Sequence, residues 1–172
     1  MRLLACTTLS LVLAACAQTC EIPGPVMLQH GSQGTMFVAN KRGASLSRID
    51  IANGEETHSA DTCENPHELT VSPDDTLVAV ACYSGRTLEV FATKDLRRIV
   101  EFELGENARV HSALWLDDYS IIAGAEGRGS LYRIVDMESD APRPPIEIGG
   151  GRTGPHLLAV SLDQRTAWGT II

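Results

Sequence analysis

Pro66-His67-Glu68-Leu69-Thr70-Val71, followed across the turn Ser72-Pro73-Asp74-Asp75 by Thr76-Leu77-Val78-Ala79, recurs along this chain. Val110-His111-Ser112-Ala113-Leu114-Trp115 leads in the same way to Ser120-Ile121-Ile122-Ala123, and Pro155-His156-Leu157-Leu158-Ala159-Val160 leads to Thr166-Ala167-Trp168-Gly169. The histidines are 44 and 45 residues apart, and the offset from each to its Thr or Ser is 9, 9 and 10. An earlier copy reads Pro25-Val26-Met27-Leu28, with Thr35-Met36-Phe37-Val38 at the same offset of 9 from Val26. A fixed period of this size marks a series of like units, each of which buries its apolar faces against its neighbours.

Each unit has a second half. Ser45-Leu46-Ser47-Arg48-Ile49-Asp50, Thr87-Leu88-Glu89-Val90-Phe91 and Ser130-Leu131-Tyr132-Arg133-Ile134 alternate apolar and polar residues, as half-buried strands do. Turn clusters separate them: Asn40-Lys41-Arg42-Gly43, Asn53-Gly54, Ser84-Gly85-Arg86 and Gly127-Arg128-Gly129. A last strand follows over residues 56–60, 98–104 and 146–148, and no helix-period segment of useful length occurs beyond the N-terminal segment. Four short strands in about 44 residues, repeated, spell an all-β chain built as a β-propeller of four-stranded blades, with the histidine-bearing strand innermost. The blades fall at about residues 25–61, 65–104, 108–148 and 154–172, the last with two strands only. About three and a half blades make an incomplete ring, since propellers have four to eight. The expectation is a truncated product or fragment; the alternative is self-association of two chains that close one ring.

The blades lack a Trp-Asp strand ending and a Gly-His opening, so they are not of the WD40 type. Phe37-Val38-Ala39-Asn40, Leu46-Ser47-Arg48-Ile49-Asp50, Asn65-Pro66-His67, Val71-Ser72-Pro73-Asp74-Asp75 and Gly154-Pro155-His156 resemble the YVTN-type repeat of bacterial and archaeal extracytoplasmic propellers. The resemblance covers residues 25–172. Asp75 stands where that repeat has glycine, Val110 replaces proline in the third blade, and Leu116-Asp117-Asp118 replaces the Pro-Asp-Gly turn.

The N-terminus supplies an address. Arg2 precedes an apolar run over residues 3–15 broken by Thr7, Thr8 and Ser10, which is too short to span a bilayer and fits a secretory signal. Leu13-Ala14-Ala15-Cys16 resembles the lipobox of bacterial lipoproteins, which implies cleavage after residue 15, lipidation of Cys16 and a linker over residues 16–24. Ordinary cleavage after Ala17 is the alternative. Ala17, rather than an aspartate, implies by the same resemblance an outer-membrane lipoprotein on the periplasmic face of the envelope. Removal of the signal takes away one cation and no acid, so the net charge of the 172-residue chain moves from −8 to −9. That charge and only 5% aromatic residues argue against a nucleic-acid partner, which needs a cationic face with stacking rings. After cleavage and lipidation, Cys20, Cys63 and Cys82 remain, enough for one disulfide, and spacing does not choose the pair. Cys82 also reads as a small buried residue of its strand.

Equivalent positions in successive blades face one axis, so His67, His111 and His156 are candidate ligands for Zn²⁺ or Cu²⁺ at the channel mouth. The bland reading is that Pro-His belongs to the repeat and the imidazole hydrogen-bonds backbone between blades; repetition alone explains the spacing. Gly149-Gly150-Gly151-Arg152-Thr153-Gly154 matches GxGxxG but precedes Pro155 and a strand, so it reads as an inter-blade loop. His67-Glu68 lacks the second histidine of HExxH, and no nucleophile elbow, P-loop or EF-hand pattern occurs. No pattern names a cofactor or a catalytic residue. The reading is a non-enzymatic, lipid-anchored scaffold that binds a protein, glycan or small ligand at its loops or channel mouth. The alternatives are a propeller enzyme of the lactonase or hydrolase type, with Glu68 and the three histidines as its candidates, and a redox subunit like the heavy chain of periplasmic amine dehydrogenases.

Overall fold

The structure, a computed structural model, describes residues 33–135, 137–138, 142–148, 153–163 and 165–172. The signal over residues 1–15, the linker, Cys16, Cys20, the Pro25-Val26-Met27-Leu28 strand and residues 149–152 of the glycine-rich loop lie outside them.

Among the described residues, thirteen strands form four antiparallel sheets whose members are consecutive in the chain. The first holds β1 (Thr35–Asn40), β2 (Ser45–Asp50) and β3 (Glu55–Asp61). The second holds β4 (Pro66–Val71), β5 (Leu77–Cys82), β6 (Thr87–Ala92) and β7 (Arg98–Glu103). The third holds β8 (Val110–Trp115), β9 (Ile121–Ala125), β10 (Ser130–Ile134) and β11 (Ile146–Glu147). The last pairs β12 (Pro155–Val160) with β13 (Ala167–Ile171). By the repeat, β1 matches β5, β9 and β13 as second strands, and β4, β8 and β12 are first strands. These first strands pack side by side in chain order, β4 on β8 and β8 on β12. The fold is therefore a β-propeller array: two complete blades, three strands of a preceding one and two of a following one.

The period of 2 in the strands distributes side chains between two inter-blade cores. On β5, Val78 and Val80 join Leu46, Phe91 and Leu96 on the side of the first sheet, while Ala79 and Ala81 face the third. There the small alanines meet Leu88, Val90, Phe102, Val110, Trp115 and Tyr132. Trp115 also donates its indole N–H to the carbonyl of Thr70, 3.0 Å away, tying adjacent first strands together.

The turn between β4 and β5 shows why aspartate replaces glycine. Asp75 has φ 60°, the left-handed region, which aspartate tolerates better than most residues. Asp74 organises the turn by accepting from Ser72 Oγ at 2.6 Å and from the Thr76 N–H at 3.1 Å. Ser161 and Asp163 repeat the arrangement, with Ser161 Oγ donating to Asp163 Oδ1 at 2.6 Å. The Gly127-Arg128-Gly129 turn is a short 3₁₀ turn, Glu126–Arg128, with Gly129 left-handed behind it. Cys63 and Cys82 are joined in a disulfide, which answers both open questions about cysteine: Cys82 is fully buried and also bonded.

Candidate functional site

His67, His111 and His156 are each the second residue of a first strand. In all three sheets the pairing register slips at that point: between Pro66 and Leu69, between Val110 and Ser112, and between Pro155 and Leu158. An irregularity of this kind releases a residue from the ladder and re-aims its side chain. The three rings consequently meet. His67 and His111 have ring centroids 4.2 Å apart, and His111 and His156 3.7 Å apart, with interplanar angles of 43° and 33°. The three histidines that the sequence grouped thus lie in one row, with His111 at its centre.

A second repeat position completes the site. Lys41, Tyr83 and Glu126 each follow the last residue of a second strand, so they rise at the same end of the blades as the histidines. Glu126, with its side chain buried, accepts a hydrogen bond from Tyr83 Oη at 2.9 Å and one from His156 Nδ1 at 3.1 Å. Arg109, two residues before His111, places Nη2 3.4 Å from the same carboxylate, donates to Tyr83 Oη and stacks 4.7 Å from the Tyr83 ring centroid. Lys41 Nζ lies 5.7 Å from that centroid. Gly154 is required here by close approach: a Cβ would lie 2.4 Å from Glu126 Cγ and 2.8 Å from its carbonyl oxygen.

These bonds set the state of each group. His111 Nδ1 lies 2.9 Å from the backbone oxygen of His156. A carbonyl only accepts, so Nδ1 carries the proton and the neutral ring keeps its lone pair on Nε2. The bond to Glu126, whose carboxylate accepts, likewise places a proton on Nδ1 of His156. Burial, and then the neighbouring His67 and His156, hold the His111 pKa below the usual histidine value. Burial pushes the Glu126 carboxyl upward, but the bonds from His156 and Tyr83 and the charge of Arg109 outweigh it, and its pKa falls below the ordinary carboxylate value. His67 differs: Nδ1 stands 3.5 Å from Glu68 Oε1, is buried, and has no hydrogen-bond partner. The inter-blade hydrogen bond of the bland reading is thus present at His111, and it leaves the Nε2 atom uncommitted.

Beside this cluster an open cavity of about 770 Å³ is lined by Tyr83, Arg86, Glu106, Asn107 and Arg109 among others. The side chains of Arg86 and Arg109 are 56% and 52% exposed. Arg86 Nε pairs with Glu103 at 2.9 Å. Sequence reasoning missed Tyr83, Arg109 and Glu126. The signal that could have found Tyr83 and Glu126 is positional: superposing the repeats puts them at one site, although lysine, tyrosine and glutamate share no chemistry there.

No protein-family model matches the sequence, and no curated protein matches it. Among solved structures 451 chains match. One is the hydrazine synthase of Kuenenia stuttgartiensis, with 18% sequence identity and a TM-score of 0.67 over 93% of this chain and 45% of that one. This chain thus spans less than half the length of the chain it matches, and at that identity the likeness is one of fold.

Proposed function

We propose that this chain is an exported, lipid-anchored β-propeller of the YVTN type that binds a small carboxylate-bearing ligand at the histidine end of its first strands without turning it over. The cavity walled by Arg86 and Arg109 carries this reading. Two half-exposed guanidinium groups flank it, and a guanidinium fork matches a carboxylate with two parallel N–H bonds. The Glu126 carboxylate and Tyr83 hold Arg109 in place, which lowers the entropic cost of binding. Export is supported by the Cys63–Cys82 disulfide, since such bonds persist in oxidising compartments. Anchoring rests on Leu13-Ala14-Ala15-Cys16.

The test is titration calorimetry of the full chain with a series of small carboxylates and their neutral amides. A carboxylate should bind at least about tenfold more tightly than its amide, and Arg109→Lys, which keeps the charge and loses the fork, should erase the difference. Equal binding of both, or an Arg109→Lys variant that binds as the parent does, overturns the reading. A lactone-type hydrolase has one observation in its favour: the carboxylate of Glu126 orients His156 as it would a general base. Lactones belong in the same series, and turnover that disappears in His156→Gln moves the assignment to the hydrolase. Labelled palmitate should enter the parent chain and not Cys16→Ser.

A further inference from the structure

We propose that the histidine row is a binding site for a divalent transition-metal ion of the copper and zinc kind, held by Nε2 of His111 and His156 with His67 as third ligand. This does not depend on the carboxylate reading above. The first ground is the tautomers. A metal-binding imidazole characteristically donates its other ring N–H to a carboxylate or backbone carbonyl, which fixes the ring and raises its basicity. Both partners are present: the His156 carbonyl at 2.9 Å for His111, and the Glu126 carboxylate at 3.1 Å for His156. Both lone pairs are thereby committed to Nε2.

The second ground is an unanswered polar atom. His67 Nδ1 is buried without a hydrogen-bond partner, so this ring is the least tied of the three and can turn toward an ion. The third ground is proximity. His111 belongs to two groups of potential ligand atoms, His67 with Glu68 and Glu126 with His156, each group lying within 4.8 Å. A tetrahedral ion with bonds of about 2.0–2.1 Å needs donors about 3.3 Å apart, so His67 and His156, which flank His111 in the row, must turn toward one point to close the set. Glu126 is the positioning residue rather than a ligand, because its oxygens already serve His156, Tyr83 and Arg109. Its negative charge offsets that of Arg109 beside the ion. Imidazole donors select copper or zinc over calcium or magnesium, which take oxygen ligands.

The untagged full chain in detergent, stripped with a chelator, would be titrated with Cu²⁺ alone and followed by calorimetry and electron paramagnetic resonance, then challenged with Zn²⁺. One equivalent of Cu²⁺ should bind with hyperfine splitting from two or three imidazole nitrogens, and Zn²⁺ should displace it only in large excess, since Cu²⁺ stands above Zn²⁺ in affinity for nitrogen donors. His111 is buried and its removal risks the fold, so the variants are His67→Ala with His156→Ala, both at partly exposed positions. This double variant should lose binding by at least about 100-fold, and Glu126→Gln by about 10–100-fold. His58→Ala, on the exposed strand β3, should change nothing. Absence of stoichiometric binding, a spectrum with fewer than two nitrogens, or a folded double variant that binds as the parent does would overturn the proposal.

Discussion

Glu89 is buried on β6, where it accepts the N–H of Cys63 at 3.2 Å and meets Arg98 Nη2 at 3.4 Å. Burial raises its pKa, and Arg98 and the Cys63 N–H only partly oppose that shift. A carboxyl whose folded pKa exceeds its unfolded one supports the fold below the unfolded value and withdraws that support as pH rises through the folded value. Glu89→Gln keeps an oxygen for the Cys63 N–H and has no charge to bury, and Arg98 retains Glu101 at 3.5 Å. The variant should therefore melt higher than the parent at pH 7, with the difference shrinking toward pH 4; thermal melts across that range check it, and an equal difference at both ends refutes it. Among site residues, the histidines could be found from the chain because one residue type repeats at one spacing. Glu126 and Tyr83 share a repeat position with Lys41, but their types differ from blade to blade and their partners come from neighbouring blades, so the position by itself announces no chemistry. Arg109 adopts φ 47° just before β8, a backbone choice that no local preference of arginine announces.

At the scale of elements, alternation and turn residues sufficed for the strands: the expected Ser45–Asp50, Thr87–Phe91 and Ser130–Ile134 segments are all strands, one of them a residue longer. The register slips at the histidines were not legible, since a slip is a property of two strands at once. The disulfide falls in the same class. Cys63 lies between β3 and β4 and Cys82 ends β5, and only the β4–β5 hairpin sets their Cα atoms 5.9 Å apart. The bridge closes a loop with a sequence separation of 19, so its main contribution is to restrict the unfolded chain. Replacing both cysteines by alanine should cost about 3 kcal/mol, read as a lower urea midpoint with native circular dichroism retained. A midpoint unchanged by the double replacement would show that the hairpin is held by its ladder and core alone.

At the scale of the whole molecule, β5 and β13 occupy the same place in the repeat and meet opposite surroundings. β5 is buried almost throughout because sheets flank it on both sides, whereas every residue of β13 is exposed. Trp168 is 58% exposed and Leu157 on the paired β12 is 49% exposed. Apolar faces of this kind drive association, and an open strand edge templates further pairing. The purified chain should self-associate at micromolar concentration, measured by size-exclusion chromatography with light scattering, and Leu157→Glu with Trp168→Asp should shift it toward monomer. A parent chain that stays monomeric there refutes the expectation. The repeat, the strands and the common address of the three histidines follow from local periodicity, which each residue carries wherever it goes. Burial of a given strand, the pairing of Cys63 with Cys82, and the Glu126–His156–His111 chain of hydrogen bonds were decided only by packing blade against blade, because each depends on which neighbour supplies the other half of the contact.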